Sequence, residues 1–262
     1  MTTRPVYQID AFSERIFGGN PAAVCPLDGW LSDAVMQQLA AENNLSETAF
    51  FVQTGDASYE LRWFTPAAEV DLCGHATLAT AHLIFEILNK GLDALSFQTK
   101  SGVLQVARKG DMIELDFPAR PAVPAQLPDG FQAAHGCSPA HFLRAAKNLA
   151  VFEAEADVAA FRPDLAYIKS LAGDGLIITA PGTSCDFVSR YFAPHQGIDE
   201  DPVTGSAHCT SVPYWAGRLG KTALHARQIS KRGGDLHCQL DGDRVKMAGR
   251  AVLYLEGKYH LP

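Results

Sequence analysis

Apolar and polar positions alternate along "YELRWF", "DMIELDF", "DFVSRYF" and "RVKMAG", while "AFFVQT" and "GLIITA" are short apolar runs. Strand side chains point to alternate faces, so all six segments are predicted strands. Two longer stretches, "HATLATAHLIFEILNK" (75–90) and "SAHCTSVPYWAGRLGK" (206–221), are apolar on nearly every side. A helix with that composition is buried whole, so each stretch predicts a central helix with sheet wrapped around it. Pro213 lies inside the second stretch and has no N–H to donate, which predicts a kink or a later helix start. "SDAVMQQLAAENN" (32–44) is amphipathic and predicts a further helix with Ser32 as its N-cap. The Pro-rich "FPARPAVPAQLPDG" (117–130) reads as a linker. The fold class predicted is α+β.

The pattern occurs twice. Arg62-Trp63-Phe64-Thr65-Pro66 returns as Arg190-Tyr191-Phe192-Ala193-Pro194, an offset of 128. At an offset of 131, Gly74-His75-Ala76 lies over Gly205-Ser206-Ala207 and Lys100 over Lys231. At 132, Gly102 and Asp111 fall on Gly234 and Asp243. Offsets that stay ordered and drift by so little point to an ancestral duplication. Two pseudo-symmetric lobes are expected, residues 1–118 and 119–262.

Composition narrows the partners. The chain has 262 residues, a formal charge of -7 and a pI near 5.7, which disfavours nucleic acid and anionic membrane surfaces. Cys25, Cys73, Cys137, Cys185, Cys209 and Cys238 form no Cys-x-x-Cys pair, and the opening "MTTRPVYQIDAFSERIF" lacks an apolar signal core. No run approaches the roughly 18 apolar residues of a membrane span. A reduced, cytoplasmic protein is expected.

The densest chemistry is in "EDPVTGSAHC" (200–209). It lacks the second glycine and the lysine of a phosphate loop. In both halves the repeated glycine, Gly74 or Gly205, opens the predicted central helix. A helix start presents N–H groups and the positive end of the dipole, which suits a carboxylate without any lysine. His75 and Ser206 follow the two glycines directly. By themselves both are ordinary first-turn residues; in a duplicated protein they are expected to face one cleft, together with Glu47 and Asp201.

The blocks "FGGNPAAV" (17–24), "NLSETAFF" (44–51), "RWFTPAAEVDLCGHATLATAH" (62–82) and "DPVTGSAHC" (201–209) resemble those of the PhzF family of phenazine-biosynthesis-like isomerases. They cover almost the whole chain in the family's order. The resemblance implies the two-lobed fold of diaminopimelate epimerase. It also implies a proton-moving isomerase that needs no cofactor and no metal, acts on a small carboxylate-bearing substrate and forms a homodimer. Carried over residue by residue, Glu47 is the general acid/base, and His75, Asp201 and Ser206 complete the catalytic set. Gly74, Gly205 and Asn20 are assigned to substrate binding.

Other readings of the same residues stand beside these. Glu47 can be a capping carboxylate, His75 a core histidine and Asp201 a turn residue, while Glu200 reads as solvated loop. Cys73 raises a rival, because cysteine-dependent epimerases of this fold use a thiol before the helix glycine in each half. The second position here is Thr204, which cannot supply the second thiol. The Asp71-x-Cys73-x-His75, His208-Cys209 and His237-Cys238 groupings match no standard zinc spacing. A binding protein that has lost its chemistry is the third class.

Overall fold

The computed structural model describes residues 2–261. Two compact units make up the chain: Met1–Asp116 with Ala248–Pro262, and Phe117–Met247. The expected division at 118/119 placed the last strand with the second lobe. Ala251–Leu261 instead runs antiparallel to Thr2–Ala11 along its length, so the first unit uses both ends of the described chain.

Within the first unit, Thr2–Ala11 also pairs antiparallel with Asn20–Leu27. Asn20–Leu27 is parallel to Glu47–Gln53, which is antiparallel to Ser58–Phe64. Ser58–Phe64 is then parallel to Ala94–Thr99, itself antiparallel to Gly102–Lys109. The second unit repeats the order. His141–Arg144 and Asn148–Val151 are antiparallel, Asn148–Val151 and Leu176–Pro181 parallel, and Leu176–Pro181 and Phe187–Ala193 antiparallel. Phe187–Ala193 is parallel to Ala223–Gln228, which is antiparallel to Gly234–Asp241. Each unit is thus a mixed sheet with few helices, as predicted, and all six predicted strands are present.

The repeated Arg-aromatic-Phe motif has the same physical role in both units. Arg62 grips Glu69 with two hydrogen bonds of 2.7 and 2.8 Å, and its guanidinium lies 5.2 Å from the centre of the Phe64 ring. Arg190 grips Glu200 at 2.7 and 2.9 Å and lies 5.0 Å from the Phe192 ring. Glu200 is therefore a structural ion-pair partner on the strand Ile198–Asp201, and the solvated-loop reading is corrected.

The first central helix, Gly74–Leu83, buries every residue except His82 and continues as a π-helical turn, Ile84–Leu88. Leu78, Leu83, Ile84 and Phe85 are fully buried, each contributing about 1.5–3 kcal/mol of apolar transfer. The second, Gly205–Leu219, runs unbroken through Pro213, with no later start. Pro213 has no N–H for the carbonyl of Cys209, and the backbone N–H of Arg120 donates to that oxygen at 2.9 Å instead. The segment read as a linker has a structural role here. Further along, Val123–Pro124 pairs with the strand His141–Arg144, so the Pro-rich stretch forms an edge of the second unit. The amphipathic helix is Asp33–Asn43, with Ser32 Oγ accepting from the Val35 N–H and Asn44 closing it at φ 49°.

Candidate active site

In the first unit three separate segments converge on His75. Asn20 opens the second strand, Glu47 opens the third, and Cys73 is the last extended residue before the helix, with φ -143° and ψ 112°. The parallel pairing of Ala22 with Glu47 brings the first two strand starts together. The turn before Asn20 is tightly made. Phe12, Phe17 and Gly19 all have positive φ, and a Cβ on Gly19 would lie 2.1 Å from the Ala11 carbonyl oxygen, so only glycine fits. Buried Asp10 accepts the Phe17 N–H at 2.8 Å and holds this turn from inside.

His75 is 3% exposed. Its Nδ1 lies 3.1 Å from Asn20 Nδ2 and 3.5 Å from Cys73 Sγ, and its Nε2 lies 3.3 Å from Glu47 Oε2. Burial pushes the imidazole pKa down to about 3, so the ring is neutral at physiological pH. With the Asn20 amide donating to Nδ1, the single ring proton sits on Nε2, on the side of Glu47. Glu47 is itself buried, with its side chain 12% exposed. Asn20, expected among the substrate-binding residues, is completely buried, with its amide against the imidazole. The donor atoms of Glu47, Cys73 and His75 lie within 4.8 Å of one another, so among the described residues this group could hold a metal ion.

The second unit has the same helix start with different chemistry. Thr204 replaces Cys73 as the last extended residue, with φ -119° and ψ 102°. Its hydroxyl donates to Asp201 Oδ2, and its N–H donates to Gln228 Oε1 at 2.9 Å. Gln228 is fully buried and also donates to the Asp201 carbonyl at 2.6 Å. Asp201 is thus held in place at the end of its strand rather than standing in a turn. Ser206, the positional equivalent of His75, is half-buried. His208 lies one turn beyond Thr204, with Nδ1 2.8 Å from the Thr204 carbonyl, and burial lowers its pKa to about 4.

Sequence reasoning singled out Glu47, His75 and Asp201 as site candidates and Cys73 as a rival, but not Gln228 or Asp10, which the structure places beside them. Gln228 sits in "ARQISKRGG", where nothing separates it from any other polar residue at a strand end. The Asp10 role depends on the left-handed turn it supports.

The duplicated α+β arrangement, a mixed sheet with few helices in each unit, is an epimerase-like fold. The hydroxyproline epimerase of Agrobacterium vitis has this fold, with a TM-score of 0.65 over 98% of this chain and 92% of that one at 9% identity. The particular family follows from closer similarity. The phenazine biosynthesis-like protein family model matches residues 9–257, and the chain belongs to this family of isomerases. A Pseudomonas aeruginosa protein described as an uncharacterized isomerase is 51% identical over 256 residues, covering 98% of both chains. A solved PhzF-family protein of Enterococcus faecalis has a TM-score of 0.96 and 46% identity, over 99% of this chain and 100% of that one.

Proposed function

We propose that the protein is a cofactor-independent isomerase that moves a proton, and with it a double bond, in a small carboxylate-bearing substrate, with Glu47 as the general acid/base. The observation that carries this reading is the 3.3 Å approach of Glu47 to a buried neutral His75 whose other nitrogen is held by Asn20. A carboxylate that exchanges a proton with carbon needs a fixed orientation and a neighbour that does not take the proton permanently. A neutral imidazole with a low pKa is such a neighbour. Glu47 removes a proton from one carbon and returns it to another on the same face, while His75 Nε2–H stabilises the carboxylate or the substrate.

The start of Gly74–Leu83 offers its N–H groups to the substrate carboxylate. Under the same reading Asp201, Ser206 and Gly205 hold substrate groups, an assignment that rests on the family resemblance. The two-thiol alternative needs a second proton carrier before Gly205, and the Thr204 hydroxyl there is engaged by Asp201. The proposal includes a cytoplasmic location, where six cysteines outside disulfides are at home, and a homodimer. No helix among the described residues is long and apolar enough to cross a membrane.

A metabolite mixture incubated with the enzyme in deuterated water identifies the substrate, because the product acquires solvent deuterium at the new C–H position. Glu47→Gln then loses about 10²- to 10⁴-fold in rate while still binding the substrate. Full activity in Glu47→Gln would rule out this assignment.

A further inference from the structure

The second unit contains a cavity of about 520 Å³ between the end of the short helix Phe131–His135, with the turn after it, and the helix Glu155–Ala160. Every residue lining it falls within 135–162, so the cavity belongs to this unit alone. None of these residues has a part in the proposed isomerisation. Phe152 and Phe161 come from the unit's buried core, meet edge to face at 5.8 Å, and give the cavity an aromatic base. Cys137, half-buried and outside any disulfide, forms part of the wall. Glu153, Asp157 and Arg162 are exposed and stand at the rim.

The remaining wall residue is His135, which is 8% exposed. Its ring lies among Phe131, Phe161 and Tyr167, with centroid distances of 4.6, 4.8 and 5.3 Å. Nδ1 accepts the Asp164 N–H at 3.2 Å, and the Arg162 carbonyl is further from the same nitrogen at 3.4 Å. Burial lowers the imidazole pKa, so the ring is neutral at physiological pH and its one proton sits on Nε2. Nε2 is buried and has no hydrogen-bond partner among the described residues. A buried donor without an acceptor is penalised, and an asparagine would offer an acceptor to Asp164 without carrying that donor. Packing and the Asp164 contact therefore account for one nitrogen of His135 and leave the other unexplained.

We propose that this cavity binds a small uncharged aromatic molecule bearing a carbonyl or ring-nitrogen acceptor, which packs on Phe152 and Phe161 and accepts the Nε2–H of His135. The volume suits such a ligand, since small-molecule pockets run from about 300 to 1,000 Å³. Two carboxylates against one guanidinium at the rim disfavour an anion. The site thus takes a different class of molecule from the carboxylate-bearing substrate, and it stands whether or not the isomerase reading does.

The test follows alkylation of Cys137 by iodoacetamide at mildly alkaline pH, read by peptide mass spectrometry. Cys185, half-buried in the same unit but outside the cavity, is the internal control. Benzamide is the probe, toluene its analogue without an acceptor and benzoate its analogue with a charge. In the wild type benzamide should protect Cys137 saturably and leave Cys185 unchanged, with toluene and benzoate each about tenfold weaker. His135→Asn keeps an acceptor for the Asp164 N–H and removes Nε2–H, so it should weaken benzamide by about the same factor and leave toluene unaffected. If His135→Asn fails to fold, the ¹⁵Nε2 signal of His135 in labelled wild type replaces it and should shift with benzamide but not with toluene. Glu47→Gln should be protected as the wild type is; loss of protection there would place the probe at the isomerase residues and overturn the proposal. No protection of Cys137, equal protection of Cys185, or unchanged benzamide affinity in His135→Asn also overturns it. Benzoate binding as tightly as benzamide overturns the choice of an uncharged ligand.

Discussion

Acid should destabilise the first unit through His75. The folded ring has a pKa of about 3 against an ordinary value of 6.5, so between these limits the unfolded chain binds a proton that the buried ring refuses. Stability therefore falls as the pH is lowered from 6.5 and is fully present above it. Each such histidine contributes about 1 kcal/mol per pH unit to the slope. His208 adds a second proton down to about pH 4, and His82 and His135 are displaced in the same direction by burial. The lowered carboxylates Glu69, Glu155 and Asp186 enter increasingly as the pH approaches and passes their ordinary values of 4.5, 4.5 and 3.8. Between pH 4.5 and 6 the slope is thus carried mainly by histidines, with carboxylates adding to it at the acid end, equally in the wild type and a His75 variant. Urea unfolding of the wild type and His75→Gln, at half-unit steps across that interval, should give slopes that differ by about 1 kcal/mol per pH unit. The comparison is of slopes, so a uniform loss of stability in the variant does not affect it. Identical slopes would mean that His75 carries a proton in the fold. The pair with Glu47 would then be an imidazolium–carboxylate pair, and the neutral Nε2–H donor would have to be abandoned.

Three further outcomes follow from the same geometry. Cys73→Ser should keep its rate within about tenfold of the wild type in the deuterium-exchange assay, since the thiol is assigned no proton transfer; a loss as large as that of Glu47→Gln would restore the thiol mechanism. Asn20→Leu removes the amide that fixes Nδ1 and leaves a buried ring nitrogen unsatisfied, so urea unfolding should show a loss of about 1–3 kcal/mol, together with a lower kcat at unchanged pH. Arg190→Met leaves Glu200 with its side chain only 25% exposed and no guanidinium, for a loss of about 2 kcal/mol, and Arg62→Met should act alike through Glu69. An unchanged denaturation midpoint in either arginine variant would show that the two bidentate pairs are ornamental.

Strand periodicity and the two apolar stretches were enough to locate the sheets and both central helices, because burial on one face or on all faces is written directly into residue type. The repeat of Arg62-Trp63-Phe64 as Arg190-Tyr191-Phe192 was visible as letters, yet what the two arginines grip was not. Their partners lie seven residues on in one unit and ten in the other, and Glu200 resembled any loop acid. Pro213 suggested a kink or a later helix start because sequence shows the missing donor but not its substitute, the Arg120 N–H from a distant segment. Glu47 and His75 were found through their motif blocks. That Asn20 holds the imidazole depends on a strand-to-helix contact across fifty-five residues that no local pattern encodes.

The pairing of Thr2–Ala11 with Ala251–Leu261 fixes an order of events during synthesis. All of the second unit lies between Phe117 and Met247, so it can close while the ribosome is still adding the final strand. The first unit cannot: its opening strand waits, with one edge uncovered, for a partner made some 240 residues later. Contacts so far apart in sequence form slowly, and an uncovered strand edge invites pairing with a neighbouring nascent chain. The Glu47–His75 pair therefore belongs to the part of the molecule that matures last.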